Sequence, residues 1–140
     1  MRRAAGQRRA MRSILGLLLL AALPAAAQEP MTAEEFDAYT QGRTLTFGSQ
    51  GAEPYGVERY MSNRRVVWRF LDRQECQPGF WYETDAGEIC FEYEFDPEPQ
   101  CWMFFDEPGG LRAIFTNDPG TTILYEAQEG GELICGNFGV

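Results

Sequence analysis

The sequence contains no histidine, and no lysine follows residue 27. These absences exclude Ser-His and Cys-His nucleophile pairs, histidine metal sites and Schiff-base lysines. The serines after residue 27 are Ser49 and Ser62, and neither lies in a G-x-S-x-G motif. A carboxylate pair of glycosidase type remains, but among 21 acidic residues some pair reaches the required separation by chance. We therefore predict that the protein is not an enzyme and has no cofactor, metal ligand or catalytic residue.

Long apolar runs are equally scarce, and the one that is present lies near the N-terminus. Five arginines and no acid precede an apolar stretch from Ser13 to Leu23, which Pro24 ends. Ala25-Ala26-Ala27 then provides the small residues of a cleavage site. This order is typical of a secretory signal peptide, and the stretch is shorter than the roughly 20 residues that a membrane span needs. We predict export to the periplasm or the medium, with a retained N-terminal anchor as the alternative.

The predicted cleavage divides the chain into a signal peptide, 1–27, and one mature domain, 28–140. Both Met1 and Met11 are compatible with the start of translation, because a complete signal also follows Met11. The mature domain keeps seven of the twelve basic residues against 21 acids, a net charge of −14. That charge disfavours nucleic acid and anionic lipid as partners and leaves a basic protein or a cation. The acids also serve solubility, which is their simplest role.

Four cysteines remain in the mature domain, and an even number in a small exported protein indicates two disulfides. Zinc would need close C-x-x-C pairs or histidines, and neither is present. Three pairings are open. Side-chain alternation in the segment Ile89–Phe95 turns Cys90 away from the core, and Cys101 faces outward on the next strand. We therefore favour a cross-hairpin bridge between Cys90 and Cys101, which leaves Cys76 to pair with Cys135.

Secondary structure begins with one short helix and continues with strands. Thr32 and Glu35 form a capping-box pattern, and Gly42 is placed to end the helix, so we predict a helix over 33–41. Short alternating segments separated by turn residues then follow at intervals of about ten residues. The predicted strands are Arg43–Phe47, Gly56–Met61, Arg65–Leu71, Gly79–Glu83, Glu88–Phe95, Gln100–Phe105, Leu111–Thr116, Thr121–Glu126 and Glu132–Cys135. Between two of them, Asp96-Pro97-Glu98-Pro99 is predicted to be a turn.

Connections this short favour antiparallel neighbours, because parallel strands need long crossovers. The predicted fold is all-β, a small antiparallel meander or barrel of about eight strands with one short N-terminal helix over one end.

Part of the chain resembles a family of small secreted bacterial β-proteins of unknown function that have a lipocalin-like plan. The resemblance covers residues 42 to about 105, a little over half of the mature domain. It rests on these residues: Gly42-Arg43-Thr44-Leu45, Trp68, Cys76-x-x-Gly79-x-Trp81, Ile89-Cys90-x-x-Tyr93 and Cys101-Trp102. It implies a barrel-like fold and transfers no catalytic residue.

Aromatic side chains supply the candidate binding residues. Most of them alternate as core residues do, but adjacent aromatics cannot all point inward, so some must lie on an outer face or at a barrel mouth. The candidate ligand contacts are Trp68, Trp81, Tyr93 and Trp102.

Two further observations concern charged and oxygen-bearing side chains. Arg59 and Arg69 are rare cations on apolar strands, and either is a candidate to turn inward, although solvated arginines are the simpler interpretation. The oxygen-bearing residues Asp96, Glu98, Asn117 and Asp118 match calcium chemistry, but they are ordinary turn formers.

Three functions follow as hypotheses. The first is an exported binding module that holds a small apolar ligand or peptide, and it predicts an internal cavity. The second is an acidic interaction module, such as an inhibitor of a basic envelope enzyme, drawn to its partner by charge. The third, an enzyme, requires a cleft with carboxylates of perturbed pKa.

Overall fold

The computed structural model describes residues 27–118, 120, 122–127 and 132–138. The predicted signal peptide lies outside the described residues except for Ala27, so it stays a prediction. Of the helices that these residues form, none has the length and the apolar character that a membrane span requires.

The helix α1 spans Ala33–Thr40 and has the N-terminus that the sequence predicts. The Thr32 hydroxyl accepts a hydrogen bond from the Glu35 backbone N–H at 3.2 Å, and the Glu35 carboxylate accepts one from the Thr32 N–H at 2.9 Å. This reciprocal pair satisfies two donors that a helix start leaves free. Gly42, at φ +80°, then takes the left-handed conformation that turns the chain toward the first strand.

Eight strands follow and close into one antiparallel barrel in sequence order. The strands are β1 (Thr44–Gly48), β2 (Gly56–Tyr60), β3 (Arg65–Phe70), β4 (Cys76–Glu83), β5 (Ile89–Tyr93), β6 (Asp96–Glu107), β7 (Gly110–Phe115) and β8 (Ile123–Glu126). The ring closes where β8 pairs with β1, at Phe47 opposite Glu126 and Gly48 opposite Tyr125. The predicted fold class is confirmed. Thr121, the predicted start of the last barrel strand, lies outside the described residues.

The predicted turn at Asp96–Pro99 is wrong, because these residues form the first part of β6. The chain turns instead at Glu94 and Phe95, and Asp96 pairs with Tyr93 across the hairpin. This part of β6 pairs with β5 alone, since the pairing with β7 begins only at Trp102. Proline is tolerated at such a place because a free strand edge needs no N–H donor.

The predicted ninth strand, Glu132–Cys135, is also wrong. These residues have no ladder partner and pack on the outside of the barrel. Leu133 and Cys135 cover Val57 of β2 and Val67 of β3, which are fully buried although they face away from the barrel interior. An apolar outer face on β2 and β3 thus forms a second small core with the C-terminal segment.

Both disulfides have the predicted pairing. Cys90 and Cys101 are directly opposite each other on β5 and β6, with their Cα atoms 4.0 Å apart. Cys76, at the start of β4, holds Cys135 and so ties the C-terminal segment to the barrel wall. Paired cysteines of this kind are typical of an oxidising compartment outside the cytosol.

The helix α1 closes one end of the barrel with an aromatic side chain. Phe36 is fully buried, and its ring lies 4.4 Å from that of Phe104 and 5.1 Å from that of Trp81, measured between centroids. Tyr60 and Phe91 complete the cluster at 5.7 Å and 6.3 Å. The helix therefore fills this end of the barrel interior with a cluster of packed aromatic rings.

Candidate ligand-binding cavity

The barrel interior holds a cavity of about 300 Å³ on the side away from Phe36. Its rim is formed by the connections that join β1 to β2, β3 to β4 and β5 to β6, which contribute Tyr55, Arg73 and Phe95. The wall is mostly aromatic. The other lining residues are Phe47, Glu58, Tyr60, Trp68, Phe70, Gln77, Phe91, Tyr93, Asp96, Gln100, Trp102, Phe104, Ala113 and Leu124. Binding sites for small molecules have this character, an apolar wall with few polar groups.

Two glycines on inward-facing positions keep this space open. A Cβ at Gly56 would overlap the indole ring of Trp68, and a Cβ at Gly79 would clash with the Glu92 carbonyl oxygen and lie 2.9 Å from the Tyr93 ring. Both rings therefore pack close to a glycine on a neighbouring strand. Glycine within a strand commonly marks such a close approach. Because these two glycines have no side chain, the rings of Trp68 and Tyr93 fit beside them in the cavity wall.

One carboxyl group lies in the aromatic wall. Glu58 points inward from the middle of β2, and only 3% of its surface is exposed. The Tyr93 hydroxyl donates to both of its carboxylate oxygens, at 3.0 and 2.9 Å. A buried charge is costly unless it is paired, and the ion pairs among the described residues join Arg43 to Glu126, Arg73 to Asp72 and Arg112 to Glu107. Glu58 has no cationic partner among them.

Burial governs the acidity of this group. Desolvation raises the pKa of Glu58 from 4.5 to about 8, and the hydrogen bond from Tyr93 offsets only part of that rise. Burial also raises the pKa of Tyr60 and of Tyr93 well above the usual value, and the nearby Glu58 carboxylate adds to both shifts. Burial therefore favours a protonated, neutral Glu58 at neutral pH.

The structure brings three of the four predicted contact residues together. Trp68, Tyr93 and Trp102 all line the cavity, from β3, β5 and β6. Trp81 does not line it, because its ring packs against Phe36 in the closed half and is only 2% exposed. The binding role of all four residues stays a prediction.

Neither candidate arginine turns inward. Arg59 extends along the barrel exterior and donates to the Gly42 carbonyl at 2.6 Å. Arg69 donates to the Arg73 carbonyl at 2.9 Å and to the Glu132 carbonyl at 3.2 Å, so it helps to hold the C-terminal segment. The simpler interpretation of both arginines, an outward position, is the one observed.

Sequence reasoning missed Glu58, although the alternation of β2 contains the signal. Gly56, Glu58 and Tyr60 share one face of the strand, and the large apolar body of Tyr60 favours the inner position for that face. The other face carries Val57 and Arg59, and the sequence alone is equally compatible with Val57 on the inner face of a half-buried strand. Only the C-terminal segment, which covers Val57, explains why an apolar residue stands outside.

Two of the residues considered for calcium, Asn117 and Asp96, hydrogen-bond to neighbouring protein groups. The Asn117 side chain accepts from the Cys101 N–H at 2.8 Å and donates to the Pro99 carbonyl at 2.7 Å, which bridges the free edge of β6. The Asp96 carboxylate accepts from the Glu98 N–H and from the Gln100 side chain. A cluster of Glu88 with Cys90 and Cys101 has metal-like spacing, but both sulfurs belong to a disulfide and are not thiolates.

Comparisons with protein-family models, with curated proteins and with solved structures found no significant match to this chain.

Proposed function

We propose that the protein is an exported binding module that holds a small, largely apolar ligand inside the barrel. The observation that carries this proposal is the aromatic-lined cavity of about 300 Å³. Its size is at the lower end of the range for ligand sites, about 300 to 1,000 Å³, so it fits a small molecule and not a folded peptide. Because the aromatic cluster around Phe36 fills one end of the barrel, the ligand would enter the cavity from the opposite end, beside Tyr55, Arg73 and Phe95.

Binding accounts for the cavity better than catalysis does. Glu58 does meet the requirement of a carboxyl group with a perturbed pKa in a cleft. The other acid in the lining, Asp96, sits at the rim and already accepts from Gln100 and from the Glu98 N–H. A single buried carboxyl without a nucleophile or a second acid can hold a ligand, but it leaves hydrolysis without its second group.

A cavity-filling variant gives the direct test. Ala113 lies inside the barrel on β7 and lines the cavity, so Ala113→Leu places extra volume where the ligand would bind. Ala38→Leu adds the same atoms on the exposed face of α1 and serves as the matched control. We expect 1-naphthol to bind the native protein and the control, as measured by calorimetry, and to bind Ala113→Leu at least about tenfold more weakly. Equal binding by all three proteins would place the site elsewhere.

The acidic interaction module is the second candidate, because two apolar rings stand exposed at the rim of a strongly acidic protein. Phe95 is 59% exposed and Tyr55 is 37% exposed. Native mass spectrometry of protein purified from its own envelope at low salt separates the two functions. A bound mass of a few hundred daltons, released chemically unchanged, supports the ligand module. A protein-sized partner that dissociates as salt is raised supports the interaction module instead.

A further inference from the structure

We propose that the ligand of this cavity is a small apolar amine with one positive charge. Its ammonium group would lie against the Glu58 carboxylate, and its apolar body would lie against the aromatic wall. This inference rests on the proposed function, since it names the chemical class of ligand that the same cavity binds.

Glu58 has fewer hydrogen-bond donors around it than an ionised carboxylate can accept. An ionised carboxylate has about four acceptor positions, and the Tyr93 hydroxyl supplies a single proton to them. Arg73, the arginine in the cavity lining, lies over the ring of Phe70 at 4.9 Å, and its side chain is 63% exposed at the rim. It is placed in water and not against Glu58. A ligand ammonium would bring both the missing charge and the missing donors.

The second argument is a comparison within the barrel. Glu126, near α1, also carries a mostly buried side chain, but it is fully partnered. Its carboxylate accepts from the Tyr39 hydroxyl at 2.7 Å and from the Leu111 N–H at 3.0 Å, and it pairs with Arg43 at 3.3 Å. Within the part of the chain that the structure describes, Glu126 beside the helix thus has a cationic partner, and Glu58, which faces the cavity, has none.

The third argument is the nature of the wall around Glu58. Trp68, Phe91, Tyr93 and Phe47 line the same cavity, and the Phe91 and Tyr93 rings are stacked, 6.3 Å apart with 8° between their planes. Aromatic faces attract cations, most strongly when water is excluded. They equally accept an apolar body. A neutral alcohol would gain the apolar contacts but only one ordinary hydrogen bond to the carboxyl group, and an anionic ligand would be repelled.

Charge outside the cavity acts in the same direction. The mature domain predicted from the sequence has a net charge of −14. A potential of that sign raises the local concentration of small cations and lowers that of anions. Asp96 adds an acidic group to the rim itself.

The test compares two ligands of matched shape, 2-phenylethylamine and 2-phenylethanol, by calorimetry. We expect the amine to bind the native protein at least about tenfold more tightly than the alcohol. Glu58→Gln should remove that preference while it still binds the alcohol, which also shows that the variant is folded. The matched control is Glu92→Gln, which removes one charge from the same barrel at a position whose neighbours Phe91 and Tyr93 point inward, and it should keep the preference.

The pH dependence provides a second readout. Because the amine needs an ionised Glu58, its binding should strengthen as pH rises from about 6 to about 8, whereas binding of the alcohol should not. The other ionisable groups that line the cavity are Tyr55, Tyr60, Tyr93, Asp96 and Arg73. The three tyrosines have raised pKa values and stay neutral in this range, and the two rim groups are present equally for both ligands.

The possible outcomes separate the two proposals. If the amine and the alcohol bind equally, and Glu58→Gln changes neither, the amine inference is wrong while the binding module stands. If neither compound binds, and 1-naphthol does not bind either, the proposed function fails and the inference fails with it. A preference for the amine that survives Glu58→Gln would assign the charge recognition to another group and would also overturn the inference.

Discussion

The indole ring of Trp68 lies directly over the backbone of Gly56, and a Cβ at residue 56 would overlap the ring. Residue 56 pairs with Phe70 across the sheet, so Trp68 reaches diagonally along the wall to occupy the space that a side chain would fill. The position of the Trp68 ring in the cavity wall therefore requires glycine at residue 56.

This relationship predicts a loss of binding when the space over Gly56 is filled. Gly56→Ala would push the Trp68 ring toward the centre of the cavity, with a loss of about 1 to 3 kcal/mol in the free energy of unfolding. We expect weaker binding of 1-naphthol and a changed near-UV spectrum of the tryptophans. The control is Gly136→Ala, because a Cβ at residue 136 meets nothing within 4 Å. A Gly56→Ala protein with native binding and spectrum would contradict the argument.

The elements that the sequence predicts correctly are those with a local cause. The helix start depends on Thr32 and Glu35, which are three residues apart, so their pattern is readable without knowledge of the fold. The Cys90–Cys101 bridge depends on alternation along two adjacent strands, and the second bridge follows by elimination. Most strand positions follow from the same alternation, to within a few residues.

The sequence predictions are wrong where the local structure depends on contacts with distant parts of the chain. Two prolines near Asp96 indicate a turn locally, but the free edge of β6 removes the reason to avoid them there. The segment Glu132–Cys135 has strand-like composition, yet the barrel is already closed by β8 on β1 and offers it no edge. Glu58 was missed for a related reason, since Val57 is buried on the outside only by that C-terminal segment.

The buried carboxyl group predicts a specific dependence of stability on pH. The pKa of Glu58 is about 8 in the folded protein and 4.5 as its ordinary value, so the folded state keeps a proton that the unfolded state has lost. The stabilisation is complete below about pH 4.5 and declines as pH rises toward about 8, by a total on the order of 3 to 5 kcal/mol.

Urea unfolding at a series of pH values measures this decline. Glu58→Gln should remove it and should leave the variant more stable than the native protein near pH 8, because an amide carries no charge to desolvate. Glu92→Gln removes a carboxyl group from a β5 position that does not line the cavity, so its curve should run parallel to the native one. Parallel curves for all three proteins would show that Glu58 is ionised without cost.

Phe36 is expected to be the largest single contributor from the helix. It is fully buried between Tyr60, Trp81 and Phe104. We expect Phe36→Ala to lower the free energy of unfolding by about 3 to 5 kcal/mol. Phe95→Ala removes the same atoms from a ring that is 59% exposed, and it should change stability by about 0.5 kcal/mol or less. Similar losses for both variants in urea unfolding would contradict the role of Phe36 as the closure of the barrel.

The two disulfides should differ in what their removal costs. Cys76–Cys135 spans 59 residues and Cys90–Cys101 spans 11, so chain entropy alone gives about 4 kcal/mol for the first and about 3 kcal/mol for the second. The longer bridge also keeps the C-terminal segment over Val57 and Val67, and the shorter one joins strands that the β5–β6 ladder already holds.

The paired serine variants at each bridge, compared by urea unfolding and by amide exchange, test this difference. Replacement of Cys76 and Cys135 should speed exchange in β2 and β3 and expose apolar surface, whereas replacement of Cys90 and Cys101 should leave those two strands protected. The opposite order would mean that the C-terminal segment is held in place by its own packing and not by the bridge.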